Sequence, residues 1–176
     1  NTFNSQDLSN LVYSLGVLAY RHETFLCTLC SYMPSRLPEF TPQGLSNTIY
    51  ALGLLKYKHD TFLKAFCGHS ASRLHELKPQ ELSNTVYALG LLAYEHEAFW
   101  EAVCVRLPAS LGRFSPQGLS NTVYALGLLA CRHKELLGAV CAHLPARLHE
   151  FKPQALSNTV CAFSLLAYRP GQGLIA

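Results

Sequence analysis

Charge is the scarcest ingredient of this chain: only 14% of its 176 residues are Asp, Glu, Lys or Arg, against roughly 25% in an average soluble domain. A surface so poor in charge must be covered by uncharged polar groups or by a partner. The formal net charge of +3 and the pI near 8.5 admit an anionic partner but fall short of the pI above ~9 that marks a strongly basic nucleic-acid domain. No run approaches the ~18 consecutive apolar residues of a membrane-spanning helix, so no membrane span is expected. The opening Asn-Thr-Phe-Asn-Ser has none of the marks of a signal or transit peptide. It also lacks an initiating Met and falls inside a repeat, so a fragment of a longer chain is expected. No segment alternates apolar and polar over a useful length, which argues against any sheet. No Gly-rich phosphate loop follows a strand, and no nucleophile stands with a base and an orienting group. Neither an enzyme, a cofactor nor a small-molecule substrate is therefore expected.

What is present is apolar and periodic. A hydrophobic content of 49% supports a substantial core and rules out disorder for most of the chain. Leu-Ser-Asn recurs at Leu8, Leu45, Leu82, Leu119 and Leu156, each 37 residues after the last. A fixed period of this length is the signature of a repeat array. The units run 3–39, 40–76, 77–113, 114–150 and, cut short, 151–176, and together make one domain.

Each unit holds two helical patterns. The first, clearest from Pro79 to Tyr94, opens with Asn4, Thr41, Lys78, Ser115 or Lys152, followed in four units by Pro42, Pro79, Pro116 or Pro153. Asn, Thr and Ser suit an N-cap and Pro suits the first helical turn. At 100° per residue Leu82, Val86, Leu89 and Ala93 share one side with Ala88 and Leu92, a wide face to bury. The opposite side carries Ser83, Tyr87, Gly90 and Tyr94 and no charge in any copy, so a neighbouring unit is expected to cover it. Gly16, Gly53, Gly90 and Gly127 sit mid-helix at a cost of about 1 kcal/mol relative to Ala, which a close helix crossing would explain. The second pattern runs from His96 to about Leu107, with Phe99, Val103, Cys104 and Leu107 on one stripe and Glu97, Glu101 and Arg106 outside it. Pro34, Pro108 and Pro145 are expected to end it, and a short turn through Arg36, Arg73 or Arg147 leads to the next unit. The fold expected is all-α, an α-solenoid of stacked antiparallel helix pairs.

Seven cysteines invite a metal or redox reading, and Cys27 with Cys30 has Cys-x-x-Cys spacing. The period argues otherwise: Cys30, Cys67, Cys104 and Cys141 share one position on the second apolar stripe, while Cys131 and Cys161 stand where other copies have Tyr. A core column is expected, and no metal. His22, His59, His96 and His133 share the turn into the second helix. A catalytic residue need not occur four times, so capping or a bond across that turn is expected. Two uniformly polar columns are sharper. Ser9, Ser46, Ser83, Ser120 and Ser157, beside Asn10, Asn47, Asn84, Asn121 and Asn158, would stack into a ladder that bonds itself, neighbouring backbone or a polymeric ligand. Tyr13, Tyr50, Tyr87 and Tyr124 lie one turn on, placed either to pack or to stack on bases.

The string Pro-Gln-x-Leu-Ser-Asn-Thr-Val-Tyr-Ala-Leu-Gly-Leu-Leu-Ala-Tyr, recurring over the whole chain, resembles the octotricopeptide repeats of algal and related organellar proteins. Those repeats are helical hairpins of nearly this length, related in architecture to pentatricopeptide repeats. The resemblance implies a right-handed superhelix with each first helix lining its inner face. It implies a mitochondrial or chloroplast location and binding of organellar RNA, in stability, processing, translation or an organellar ribosome. In that family the polar positions early in the first helix face the nucleic acid, which matches the Ser and Asn columns. Arg36, Arg73, Arg106, Arg147, Lys78 and Lys152 are the cations expected on phosphates. A base-by-base code requires residues that change from unit to unit, and these do not. RNA backbone, a monotonous tract or a purely structural ladder fits better. The other reading is a protein-binding solenoid, a scaffold subunit of a large assembly such as a ribosome, without direct RNA contact.

Overall fold

A computed structural model of the chain describes residues 3–167. Among them the order is α1 (Ser5–Val17), α2 (Glu23–Tyr32), α3 (Pro42–Leu54), α4 (Asp60–Ala71), α5 (Pro79–Leu91), α6 (Glu97–Arg106), α7 (Pro116–Leu128), α8 (Lys134–His143) and α9 (Pro153–Leu165). No strand occurs among the described residues, and no helix there is long and apolar enough to cross a membrane. The fifth unit's residues 168–176 lie outside the described part.

The first four odd-numbered helices begin in two ways, and α9, which starts after Lys152, has neither cap. Thr41 and Ser115 each accept a hydrogen bond from the backbone N–H three residues on, at Gly44 and Gly118. Lys78 has no side-chain acceptor, and Glu81 reaches back to take the Lys78 N–H at 2.8 Å instead. Asn4 and Asp7 do both, the reciprocal capping box. Each odd helix also ends alike. Ala19, Lys56, Ala93, Ala130 and Ala167 all have φ between 46° and 51°. Around the first of them Ala19 N–H bonds Gly16 O and Tyr20 N–H bonds Leu15 O, the pair of reversed bonds that closes a helix at a left-handed residue. This stop makes α5 end at Leu91, short of the Tyr94 expected from the apolar pattern.

The even-numbered helices are capped by histidine. Nδ1 of His22, His59, His96 and His133 accepts the N–H of Phe25, Phe62, Phe99 and Leu136, at 3.2 to 3.4 Å. The prolines follow the ends of the even helices as expected, α2 stopping at Tyr32, α6 at Arg106 and α8 at His143, and they also start what comes next. Pro34, Pro108 and Pro145 open short 3-10 segments, Met33–Glu39, Pro108–Arg113 and Pro145–Glu150. Pro fits the first turn, where its missing N–H is not needed, so the linkers are helical turns and not open loops.

The odd helices pack side by side in chain order, α1 on α3, α3 on α5, α5 on α7 and α7 on α9, and these are the most intimate contacts in the molecule. Glycine makes this possible. A Cβ added at Gly16 would lie 2.6 Å from Ala51 Cβ, and one at Gly53, Gly90 or Gly127 would lie 2.8, 2.8 or 3.0 Å from Cα of Ala88, Ala125 or Ala162. The mid-helix glycines thus mark backbone-to-backbone approach at every seam. Beneath the seams Leu8, Val12, Ile49, Leu52, Leu82, Val86, Leu89, Val123 and Leu126 are buried against Phe62, Phe66, Phe99, Val103 and Val140 of the even helices. The cysteine column joins them: Cys30, Cys67, Cys104 and Cys141 are buried, and burial pushes the Cys30 and Cys67 thiols up to about 12. Such thiols behave as small hydrophobes.

Candidate functional site

On α1 the residues Gln6, Asn10, Tyr13 and Val17 follow one another at helical spacing and form a stripe away from the core. The same stripe recurs on each odd helix. Its first position, Gln6, Gln43, Gln80, Gln117 and Gln154, is exposed throughout. Its second is exposed at Asn10 and half-buried at Asn47, Asn84, Asn121 and Asn158. Gln117 Nε2 donates to Asn121 Oδ1 at 2.8 Å and Gln154 Nε2 to Asn158 Oδ1 at 3.5 Å. Among the described residues the side chains of Asn10, Asn47 and Asn84 form no hydrogen bond within the protein. An amide carries two donors and an acceptor, so the row offers both kinds of group outward.

Two grooves cross this row. Between α1 and α3 a cavity of about 260 Å³ is lined by Gln6, Asn10, Gln43 and Asn47, with Ser5 and Gly44. Between α5 and α7 a cavity of about 510 Å³ is lined by Gln80, Asn84, Gln117 and Asn121, with Lys78 and Arg113. Gly44 and Gly118 help to keep these two seams open, since a Cβ at Gly118 would stand 3.2 Å from the hydroxyls of both Ser83 and Ser115. Glu81 and Ala155 occupy the equivalent place in the third and fifth units.

The serine column bonds backbone, one of the alternatives expected of it. Ser9, Ser46, Ser83 and Ser120 are only 0 to 3% exposed. Ser46 Oγ donates to Glu81 O at 3.0 Å and Ser120 Oγ to Ala155 O at 2.8 Å, each on the next odd helix. Opposite the glycines, Ser9 and Ser83 turn back to Gln6 O and Gln80 O, both at 3.0 Å. These hydroxyls hold the seams and the helix starts, and Ser9 and Ser83 also line the two grooves. Ser157, on the last described odd helix, is exposed.

The arginines have partners within the chain. Arg36, Arg73 and Arg147 pair with Glu39, Glu76 and Glu150 three residues on, at 2.5, 2.7 and 2.7 Å. Their forks hold the three carboxyls below the usual carboxylate range, chiefly through the side-chain hydrogen bonds. Arg36 further donates to Phe3 O, and Arg147 to Phe114 O, which ties each linker to the start of its own unit. In the third unit Ser110 replaces this arginine, and Arg106 instead reaches His75 O at 3.4 Å. All four guanidiniums are therefore engaged internally. Lys78 and Lys152 are exposed, and neither side chain has an ion-pair or hydrogen-bond partner among the described residues.

Two elements of the row escaped the sequence reading. The glutamine column was visible in the recurring Pro-Gln string, and its first member Gln6 persists where the proline does not. Arg113 stands where the other units have Glu39, Glu76 and Glu150, is exposed, and has no partner of its own among the described residues. A break in an otherwise acidic column was the signal for it.

Beyond the amides the stripe becomes aromatic, then aliphatic. Tyr87 and Tyr124 lie ring to ring at 6.4 Å, burial raises the Tyr87 phenol above its ordinary value, and Tyr13 is 39% exposed. Val17, Leu54, Leu128 and Leu165 end the stripe as exposed apolar side chains. No group of three or more His, Cys, Asp or Glu is placed to hold a metal ion among the described residues. No family model and no curated protein matches the chain.

Proposed function

We propose that this chain is a non-enzymatic RNA-binding α-solenoid, built of 37-residue helical hairpins wound in a right-handed superhelix whose inner face is the row of odd helices. Single-stranded RNA lies along the Gln and Asn positions of that face. The observation that carries this reading is the exposed amide row, repeated in every unit and left largely without internal partners. Unstacked bases are recognised by hydrogen bonds to their edges, and amides present the donors and acceptors that those edges require. Lys78 and Arg113, beside the amides of the α5–α7 groove, supply charge for phosphates. Because the row is the same in every unit, it reads every position alike and favours a monotonous tract or the backbone over a varied sequence. The setting implied by the octotricopeptide resemblance, an organellar transcript or ribosomal RNA, suits such a binder.

The test is a gel shift with homopolymeric single-stranded RNAs, using the wild-type chain and the variant carrying Asn47→Ala, Asn84→Ala and Asn121→Ala. Half-buried and without a side-chain hydrogen bond to the neighbouring helix, these amides should be dispensable for folding. The variant is expected to keep its helical circular dichroism and melting temperature and to bind several-fold more weakly. Undiminished affinity in a folded variant refutes the amide row as the site. No RNA binding by the wild-type chain refutes the function.

A second reading rests on the other end of the same stripe. Val17, Leu54, Leu128 and Leu165, exposed at matching positions, form the apolar surface that a partner chain of a large assembly would cover. Replacing Leu54 and Leu128 with Glu abolishes partner capture in that reading and leaves RNA affinity unchanged.

A further inference from the structure

The turn that follows each odd helix brings one side chain against the cysteine column of the preceding unit. In the second unit that side chain is Tyr57, whose phenol feels Cys30 and Cys27, and in the third it is Tyr94, beside Cys67. The fourth unit has Cys131 at this position. Its Sγ lies 3.9 Å from Cys104 Sγ on α6, the one such thiol pair among the described residues.

We propose that Cys104 and Cys131 are an oxidation site, at which hydrogen peroxide forms a disulfide joining α6 to the turn after α7. A disulfide needs sulfurs about 2.05 Å apart, so the two must close by roughly half their separation. Cys131 stands outside the helix, one residue after Ala130 at φ 50°, where rotation of a side chain meets less resistance than inside a packed helix. The two thiols have unequal roles. Cys131 is half-buried and within reach of a small oxidant, whereas Cys104 is only 3% exposed. The hydrogen bond from Cys104 and a second from the backbone of His133 hold the Cys131 thiol below its ordinary value, while the same bond raises that of Cys104. Cys131 is thus the thiolate that attacks and Cys104 the thiol that resolves.

In the first step the Cys131 thiolate attacks one peroxide oxygen, the O–O bond breaks, and a proton is taken up as water leaves, giving a sulfenic acid. In the second, Cys104 sulfur attacks the sulfenic sulfur, the S–O bond breaks, and the Cys104 proton leaves with the hydroxyl as a second water. Two thiols are oxidised and one peroxide is reduced to two waters. The product ties the third unit to the fourth, past the C-terminal end of α7 and away from the groove at its N-terminal end.

The test treats the full chain with hydrogen peroxide, blocks remaining thiols with an alkylating agent, and maps the digest by mass spectrometry. The expected result is a single reducible cross-link between the peptides bearing Cys104 and Cys131, lighter by two hydrogens. Cys131 should be lost from alkylation at least several-fold faster than exposed Cys161. Cys131→Tyr restores the side chain carried by the second and third units, so it should fold, keep the melting temperature of the reduced protein, and yield no cross-link. Cys104→Ser should fold and accumulate a sulfenic acid on Cys131 that a dimedone probe traps. Loss of Cys131 no faster than Cys161, or a cross-link from Cys131 to any other cysteine, overturns the proposal.

Discussion

Gly90 and Gly68 are both helical glycines, yet their surroundings make opposite demands. A Cβ at Gly90 would stand 2.7 Å from Ala125 Cβ and 2.8 Å from Ala125 Cα, whereas one at Gly68 on α4 meets nothing within 4 Å. Replacing Gly by Ala gains about 1 kcal/mol of helix propensity at either place. At Gly90 the seam between α5 and α7 must also open, at the roughly 1 to 3 kcal/mol that overpacking costs, and no rotamer change can relieve a clash with backbone. Gly68→Ala should therefore raise stability by up to about 1 kcal/mol, and Gly90→Ala should lower it by up to about 2 kcal/mol. Urea melts of the two variants decide this, and equal shifts of one sign would show that the seam glycines are not under steric constraint.

Between elements, the serine column holds two kinds of hydrogen bond that look alike in sequence. Ser120 Oγ crosses to Ala155 O on α9, while Ser83 Oγ bonds Gln80 O in its own helix. Ser120→Ala should cost about 1 kcal/mol, the net worth of a bond lost from a buried seam. Ser83→Ala loses a local bond and gains helix propensity, so it should fall within about 0.5 kcal/mol of wild type. Thermal melts in parallel test the difference. The linkers carry the second element-scale prediction. Arg36, Arg73 and Arg147 lower the carboxyl pKa of Glu39, Glu76 and Glu150. A depressed folded-state pKa contributes stability that is present above the ordinary carboxylate value and is lost as pH falls through the depressed one. These pairs are solvent-exposed, so the effect is small. The triple Glu→Gln variant should melt like wild type at acid pH and slightly below it at neutral pH; the same deficit at both pH values would show that the pairs have no electrostatic role.

At the scale of the whole molecule the few free cations set the character of any RNA complex. With Arg36, Arg73, Arg106 and Arg147 engaged internally, the cations left near the row are Lys78, Arg113 and Lys152. Each phosphate neutralised on a single strand contributes about −0.7 to the slope of log affinity against log salt. Three cations therefore limit that slope to about −2, shallow for a nucleic-acid binder. Gel shifts across a salt series should give a value no steeper, and a slope several times larger would place the RNA on a different, more basic surface. In the proposed RNA complex the weak charge of the chain would leave most of the affinity to uncharged hydrogen bonds and stacking.

The all-helical class, the boundaries of the helices to within about a turn, the capping histidines and the buried cysteine column were legible in the sequence. Each depends on periodicity or on a residue's own chemistry: apolar residues at 3.6 spacing, Pro in a first turn, a thiol on an apolar stripe. The mid-helix glycines likewise announced a close crossing. Tertiary structure alone decided which polar column faces outward. Ser and Asn are adjacent in sequence, about 100° apart on the helix, and both are uniformly polar; only the next odd helix, laid against Ser46 and Ser120, turns one column into a seam and leaves the other at the surface. It likewise decided that the arginines bond their own units, because their partners, Phe3 O for Arg36 and Phe114 O for Arg147, are backbone atoms about one repeat away in the chain. The meeting of Cys104 with Cys131 has the same origin. A repeat pattern shows which side of a helix is apolar, but not which atoms of the neighbouring unit come to rest against it.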